Sequence, residues 1–221
     1  SGHCVRVLRH QPGDLLEGVD GKGGLFTVLL VDAHPKLAMV EIVERHSLPP
    51  YWKGRLLLAV APTKNMDRME WLVEKATEVG MDGFIPLHCR FSERKEIKRE
   101  RLEKTAVSAM KQSLKALLPV VEEMTTLARF IDKYKELPGK FIAHCVDDGQ
   151  RHLLAEEYRP GEDSVILIGP EGDFSQEEIR MALDAGFRPV SLGDARLRTE
   201  TAALTALQTF HIAAQLKATA G

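Results

Sequence analysis

The stretch that most restricts the fold is residues 165–203, VILIGPEGDFSQEEIRMALDAGFRPVSLGDARLRTETAA. Val165-Ile166-Leu167-Ile168 is an unbroken apolar run bounded by turn residues, the pattern of a strand covered on both faces of a parallel sheet. Gly169-Pro170-Glu171-Gly172 cannot extend it, because proline has no N–H for the ladder and glycine admits backbone angles that other residues avoid. Ser175 and Glu178 then stand at the spacing of a capping box, so a helix begins near Ser175, with Ile179, Leu183 and either Met181 or Ala182 inward until Gly186 stops it. The scheme repeats as a short strand over 189–192, a loop over 193–200 and an apolar helix over 201–216. Strands buried on both faces need helices above and below them, so an α/β layered fold is expected.

The same alternation extends back to residue 52. Strands are expected over 56–61, 84–87, 119–121 and 141–145, and helices over 97–117 and 126–134. Another helix follows Asp67 and Glu70, which have capping-box spacing; Met69, Leu72, Val73, Ala76 and Val79 recur at helical period until Gly80. In such sheets ligands sit at the carboxyl ends of strands, where these glycine loops lie.

Residues 1–48 have a different texture. Asp20-Gly21-Lys22-Gly23-Gly24 is a hairpin-like turn, and β-rich runs over 25–31 and 37–43 flank Asp32-Ala33-His34-Pro35. This predicts a small β-domain over 1–48, joined through the stiff Pro49-Pro50 segment to a second domain over 52–221. Because interior-like sequence begins so close to residue 1, a first strand is expected to precede it.

The formal charge of −2 gives no general attraction to nucleic acid or membrane, so binding to either needs a local patch. No apolar run approaches the roughly 18–20 residues that span a bilayer, and no leader pattern opens the chain. A soluble, cytoplasmic protein is expected. Cys4, Cys89 and Cys145 lie far apart without C-x-x-C spacing, which predicts buried thiols rather than disulfides or a metal site.

Three stretches are chemical candidates. The first loop, 169–172, matches neither G-x-G-x-x-G nor the P-loop pattern, and taken alone it reads equally as a tight connection. The second places Arg196, Arg198 and Glu200 just before an apolar helix. Glu200 complements the positive end of a helix, but arginines there point to an anion such as a phosphate or carboxylate. The third, 90–115, holds nine cations against four anions. It is either a solvated face laced with pairs such as Glu100–Lys104 and Glu96–Arg99, or a phosphate-tracking patch.

IGPEGDFSQEEI followed by SLGDARLRTETAAL resembles the ribosomal RNA small-subunit (uracil-N3) methyltransferase family, a branch of the SPOUT methyltransferases. HCVRVLRHQPGD near the start is similar to that family's N-terminal PUA-like β-barrel, residues 64–80 to its first catalytic-domain helix, and Phe91-Ser92-Glu93-Arg94 to its Ser-Glu-Arg segment. The resemblance implies a trefoil-knotted parallel sheet with helices on both faces, preceded by a PUA-like RNA-binding domain. It implies S-adenosylmethionine as cofactor and no metal, the cofactor resting on Ala143, His144, Ile168, Gly169, Pro170, Gly172, Leu192, Gly193, Leu197 and Thr199. Arg198, Arg196 and Glu200 would be catalytic, and Arg6, Arg9, Arg94, Lys98 and Arg101 would bind RNA. The implied partners are 16S ribosomal RNA or the small ribosomal subunit and a second copy packed through the knot helices. A methyltransferase for another RNA and a non-catalytic RNA-binding knotted protein are the alternatives. Two departures stand out: Ala195 occupies the position of a family arginine, with Arg196 next to it, and Lys111-Gln112-Ser113-Leu114-Lys115 replaces a Glu-Gln-x-x-Arg pattern.

Overall fold

Residues 2–146 and 151–219 are described by the computed structural model. The chain forms two units, Ser1–Tyr51 with Met110–Leu118, and Trp52–Ala109 with Pro119–Gly221.

In the first unit a π-helical turn at His3–Val7 precedes β1 (Leu15–Val19), β2 (Gly24–Asp32) and β3 (Met39–Ser47), which pair antiparallel in the order β1-β2-β3. The turn before β2 is built by Asp20, whose Oδ1 accepts from the N–H groups of Lys22 (2.7 Å) and Gly24 (2.9 Å). Gly21 and Gly23 adopt φ of 73° and 92° there, which explains the glycine-rich spelling. Strand β1 goes unpredicted because Gly18 interrupts its pattern. The strand expected over 37–43 begins later, since Leu37 N–H turns back onto His34 O.

The second unit alternates strand and helix: β4 (Leu56–Val60), α1 (Met66–Val79), β5 (Gly83–His88), α2 (Arg99–Gln112, of which the residues from Met110 belong to the first unit), β6 (Val120–Val121), β7 (Thr125–Thr126) and α3 (Leu127–Tyr134). It continues with β8 (Gly139–Ala143), β9 (His152–Leu153), α4 (Leu154–Glu157), β10 (Ser164–Ile168), α5 (Gln176–Asp184), β11 (Arg188–Ser191) and α6 (Thr199–Thr219). The strands pair in the order β6-β5-β4-β10-β8-β11-β9, all parallel, with β7 beside β5.

Every residue of β4 and β10 is buried, as their continuous apolar runs require. One sheet face, carrying Leu57, Ala59, Val165 and Leu167, packs on Leu127, Phe130, Ile179, Ala182 and Phe187. Side chains alternate along a strand, so Leu58, Val60 and Ile166 face the other way. There α1 and α6 pack together, and Phe210 meets Phe141 and Tyr158 at ring separations of 5.6 and 4.8 Å. Burying each large apolar side chain contributes roughly 1.5–3 kcal/mol. Gly80 seals this layer: at φ 122° any Cβ would lie 2.5 Å from the Trp52 ring, and its carbonyl accepts from His211 Nε2 at 2.7 Å.

Register places the functional edge. Ile168 stands opposite Val60 on one side and Ala143 on the other, and Ala143 opposite Val190, so the carboxyl ends of β4, β10, β8 and β11 lie level.

Several element ends differ from the pattern in the sequence. Asn65, not Asp67, caps α1, its Oδ1 accepting from Asp67 N–H at 2.9 Å, because Glu70 is held by Arg101 and does not reach back. Thr77 takes the inward position expected of Val79, its hydroxyl bonded to Val73 O at 2.7 Å. Helix α2 stops at Gln112, ahead of a left-handed Leu114 (φ 55°). On α5, Ala182 is buried and Met181 exposed, while the capping box of Ser175 and Glu178 has both its bonds. No helix among the described residues is long and apolar enough to cross a membrane.

Candidate active site

The loop after β10 leaves the sheet edge in a tight turn closed by Asp173 N–H to Pro170 O at 2.9 Å. A Cβ on Gly169 would stand 3.1 Å from the Phe174 ring and 3.3 Å from the Asp173 backbone, so any side chain here crowds the turn. Asp173 adopts φ 65°, which aspartate tolerates better than most side chains, and its Oδ2 accepts from Cys145 N–H at 2.8 Å. That bond ties the loop after β8 to the loop after β10. A second tie comes from α6, where the buried Thr199 hydroxyl donates to Gly169 O at 3.0 Å. The loop after β11 turns at Gly193 (φ 108°), whose N–H donates to Ser191 Oγ at 3.2 Å.

These three loops enclose a cavity of about 520 Å³. Ala143, Ile168, Gly169, Pro170, Gly172, Leu197 and Thr199 line it together with Arg196 and Arg198. A smaller cavity of about 110 Å³ shares Ala143, Cys145, Arg196, Leu197 and Ala202 with it and adds His144, Leu192 and Gly193. The candidate cofactor residues therefore fall on two adjoining cavities. His144 is buried, and its carbonyl accepts from Arg151 Nη1 at 2.9 Å. Arg196 and Arg198 are exposed, and among the described residues neither makes an ion pair. The arginine charges at 196 and 151 oppose the upward pull that burial and Asp173 exert on the Cys145 thiol, which stays above its ordinary value.

Glu200 is placed elsewhere. Helix α6 begins at Thr199, two residues earlier than its sequence pattern indicates, and successive helical residues diverge by about 100°. Thr199 thus faces the large cavity while Glu200 is buried against α1, Oε1 lying 3.6 Å from Arg68 Nε and Oε2 without a hydrogen-bond partner among the described residues. It borders a separate cavity of about 300 Å³ with Arg68, Trp71 and Thr201. A carboxylate there complements the positive end of α6.

The basic stretch is partly committed to the fold. Arg94 donates to the carbonyl oxygens of Thr63 (3.2 Å, from Nε) and Lys64, and Arg101 pairs with Glu70 and, at 3.6 Å, Asp67. Arg99 pairs with Glu103 at 2.7 Å and Glu123 at 3.0 Å rather than with Glu96. Lys98 is exposed. Arg6 and Arg9 are exposed in the first unit. Cys89 is buried, which pushes its thiol far above the usual range, whereas Cys145 is exposed against expectation because it lies on a cavity rim. Asp173, the residue that joins two loops, was not a sequence candidate; an aspartate directly after Gly172 in a turn was the available signal.

Residues 50–211 match the RNA methyltransferase domain family. The ribosomal RNA small subunit methyltransferase E of Rickettsia conorii is 30% identical over 207 residues, covering 93% of this chain and 84% of that protein. Among solved structures, a probable rRNA-methyltransferase from Porphyromonas gingivalis is 44% identical, with a TM-score of 0.91 over 98% of this chain and 92% of its own. The ribosomal RNA small subunit methyltransferase E of Neisseria gonorrhoeae, solved bound to S-adenosyl methionine, is 27% identical, with a TM-score of 0.79 over 95% of this chain and 87% of its own. The chain therefore belongs to the RNA methyltransferase domain family, in the branch of the ribosomal RNA small subunit methyltransferases E.

Proposed function

We propose that this protein transfers a methyl group from S-adenosylmethionine to N3 of a uridine in 16S ribosomal RNA of the small subunit. The observation that carries the proposal is the cavity at the level ends of β8, β10 and β11. Its volume of about 520 Å³ suits a cofactor of this size, and glycine backbone, apolar side chains and two exposed guanidinium groups line it together. Ile168, Leu197 and Ala202 offer an apolar wall for the adenine, and the 169–172 backbone offers polar groups for adenine and ribose. When bound, the cofactor supplies an electrophilic methyl on a sulfonium.

The chain must do the rest. Uracil N3 carries a proton at neutral pH, so charge develops on the imide as that proton passes to solvent water at the open cavity. Arg198, with Arg196 beside it, stabilises that charge from a fixed position on the cavity wall. Glu200 does not line this cavity, so its role is to anchor Arg68 and the start of α6 rather than to take the proton. The threading of the three loops as a trefoil knot belongs to the same reading. The activity is tested by incubating the protein with labelled S-adenosylmethionine and either small-subunit or transfer RNA. Label is expected in the former alone; transfer only to the latter contradicts the substrate assignment.

A second copy is part of the proposal. Helix α6 buries Ala203, Ala206, Leu207, Phe210 and Ala213, yet Ile212 and Leu216 on its outer side are exposed. A partner covering this side of α6 buries them. Sedimentation at micromolar concentration should give a dimer mass, and a monomer mass throughout would contradict it. Phosphate contacts fall to Arg6 and Arg9 in the N-terminal domain, read as 1–48, and to Lys98. Lys98→Glu should flatten the dependence of RNA affinity on salt by about 0.7–0.9 per lost contact, and an unaltered slope would remove Lys98 from the interface.

A further inference from the structure

The loop after β5 carries an aromatic ring that neither the fold nor the cofactor cavity uses. Its backbone is held from both sides. Arg90 N–H donates to Glu178 Oε1 at 2.7 Å, and the other oxygen of Glu178 closes the α5 capping box at 2.9 Å. Ser92 folds back on Cys89, its Oγ accepting from Cys89 N–H at 3.0 Å and its own N–H donating to Cys89 O at 3.1 Å. Glu93 pairs with Lys64 at 3.2 Å, and Arg94 clamps the carbonyl oxygens of Thr63 and Lys64.

Between these anchors Phe91 is 51% exposed. It stands over the cofactor loop: a Cβ on Gly172 would be only 3.1 Å from Phe91 Cβ, and Gly172 itself lines the large cavity. Exposed cations flank it at Arg90, Lys95 and Lys98. A half-exposed aromatic ring beside a residue of the cavity wall, on a loop pinned this firmly, is placed to receive something flat. Nucleic-acid sites meet that need by stacking bases on aromatic rings while nearby cations hold the phosphates.

We propose that Phe91 is a stacking platform for a nucleobase of the RNA substrate at the mouth of the cofactor cavity. The proposal rests on the chain being an RNA methyltransferase of the kind described above. Because Gly172 has no side chain, the ring lies close against the cofactor loop, and a base stacked on it is held at the cavity entrance.

The test compares wild type with Phe91→Ala, Phe91→Leu and Phe91→Tyr as full chains. RNA affinity is read by fluorescence anisotropy with labelled small-subunit ribosomal RNA, and cofactor affinity by calorimetry. Phe91→Ala and Phe91→Leu should weaken RNA binding roughly 5- to 100-fold, Phe91→Tyr should stay within about 3-fold of wild type, and S-adenosylmethionine affinity should be unchanged in all. Equal affinity in the Ala and wild-type proteins would overturn the proposal. So would full retention by Leu, which keeps apolar packing on Gly172 without an aromatic face, or loss of cofactor affinity alongside RNA affinity. Binding is measured without methyl transfer, so wild-type protein that binds RNA but methylates none contradicts the activity and not the platform.

Discussion

A Gly169→Val protein is expected to bind S-adenosylmethionine at least about 100-fold more weakly than wild type, a change of roughly 2.7 kcal/mol in binding free energy. The valine side chain crowds a tightly packed neighbour. Its Cβ would meet the Phe174 ring at 3.1–3.2 Å, and Phe174 is itself only 4% exposed in the core under α5. The strain is relieved by moving the loop, and moving the loop breaks the bond from Thr199 to Gly169 O that positions α6 against it. Overpacking of this kind also costs about 1–3 kcal/mol of stability, so circular dichroism must show the variant folded at the titration temperature. Thr199→Val is the milder companion: it removes the 3.0 Å bond without adding bulk to the loop, and about a tenfold loss of cofactor affinity is expected. Calorimetric titrations giving wild-type affinity for both variants would remove the loop after β10 from the cofactor site.

Arg198→Ala is expected to lower the single-turnover rate of methyl transfer by about 10²–10³-fold while cofactor affinity changes by less than about threefold. The asymmetry follows from what the guanidinium does. Charge appears on the uracil imide only as the N3 proton leaves, so an interaction with that charge is absent from the cofactor complex. Arg198 lines the large cavity and, among the described residues, has no carboxylate to neutralise it. An unchanged rate in the Arg198→Ala protein would take this residue out of the chemistry. Arg196 lines both cavities, and Ala195 borders the smaller one.

The catalytic half of the fold was readable where the signal is local. The apolar run at 165–168 became a fully buried strand, and Ser175 with Glu178 made both bonds of their capping box, because these patterns depend on neighbours in sequence. The start of α1 was misread for a tertiary reason: Glu70, needed for a box with Asp67, is engaged by Arg101 some thirty residues away, and Asn65 takes over the cap. The same kind of distant bond withdraws Arg94 from the solvent face that its charge suggested.

Within the site, glycine loops and arginines could be found from spacing alone. The position of Glu200 could not, since starting α6 at Thr199 instead of residue 201 decides which side of the helix it takes. What Asp173 and Phe91 touch is legible only in three dimensions. Each acts on a loop from another part of the chain, through the Asp173–Cys145 bond in one case and the Phe91–Gly172 contact in the other.

The role proposed for the cavity formed by the loops after β8, β10 and β11 is delivery of a methyl group to N3 of a uridine. The most direct measurement is nucleoside mapping by mass spectrometry of small-subunit ribosomal RNA from cells lacking this gene, before and after treatment with the protein and S-adenosylmethionine. One new N3-methyluridine, absent when Gly169→Val protein is used, is the predicted result. A methyl group on another base or another atom, or none with protein shown to bind the cofactor, would contradict it.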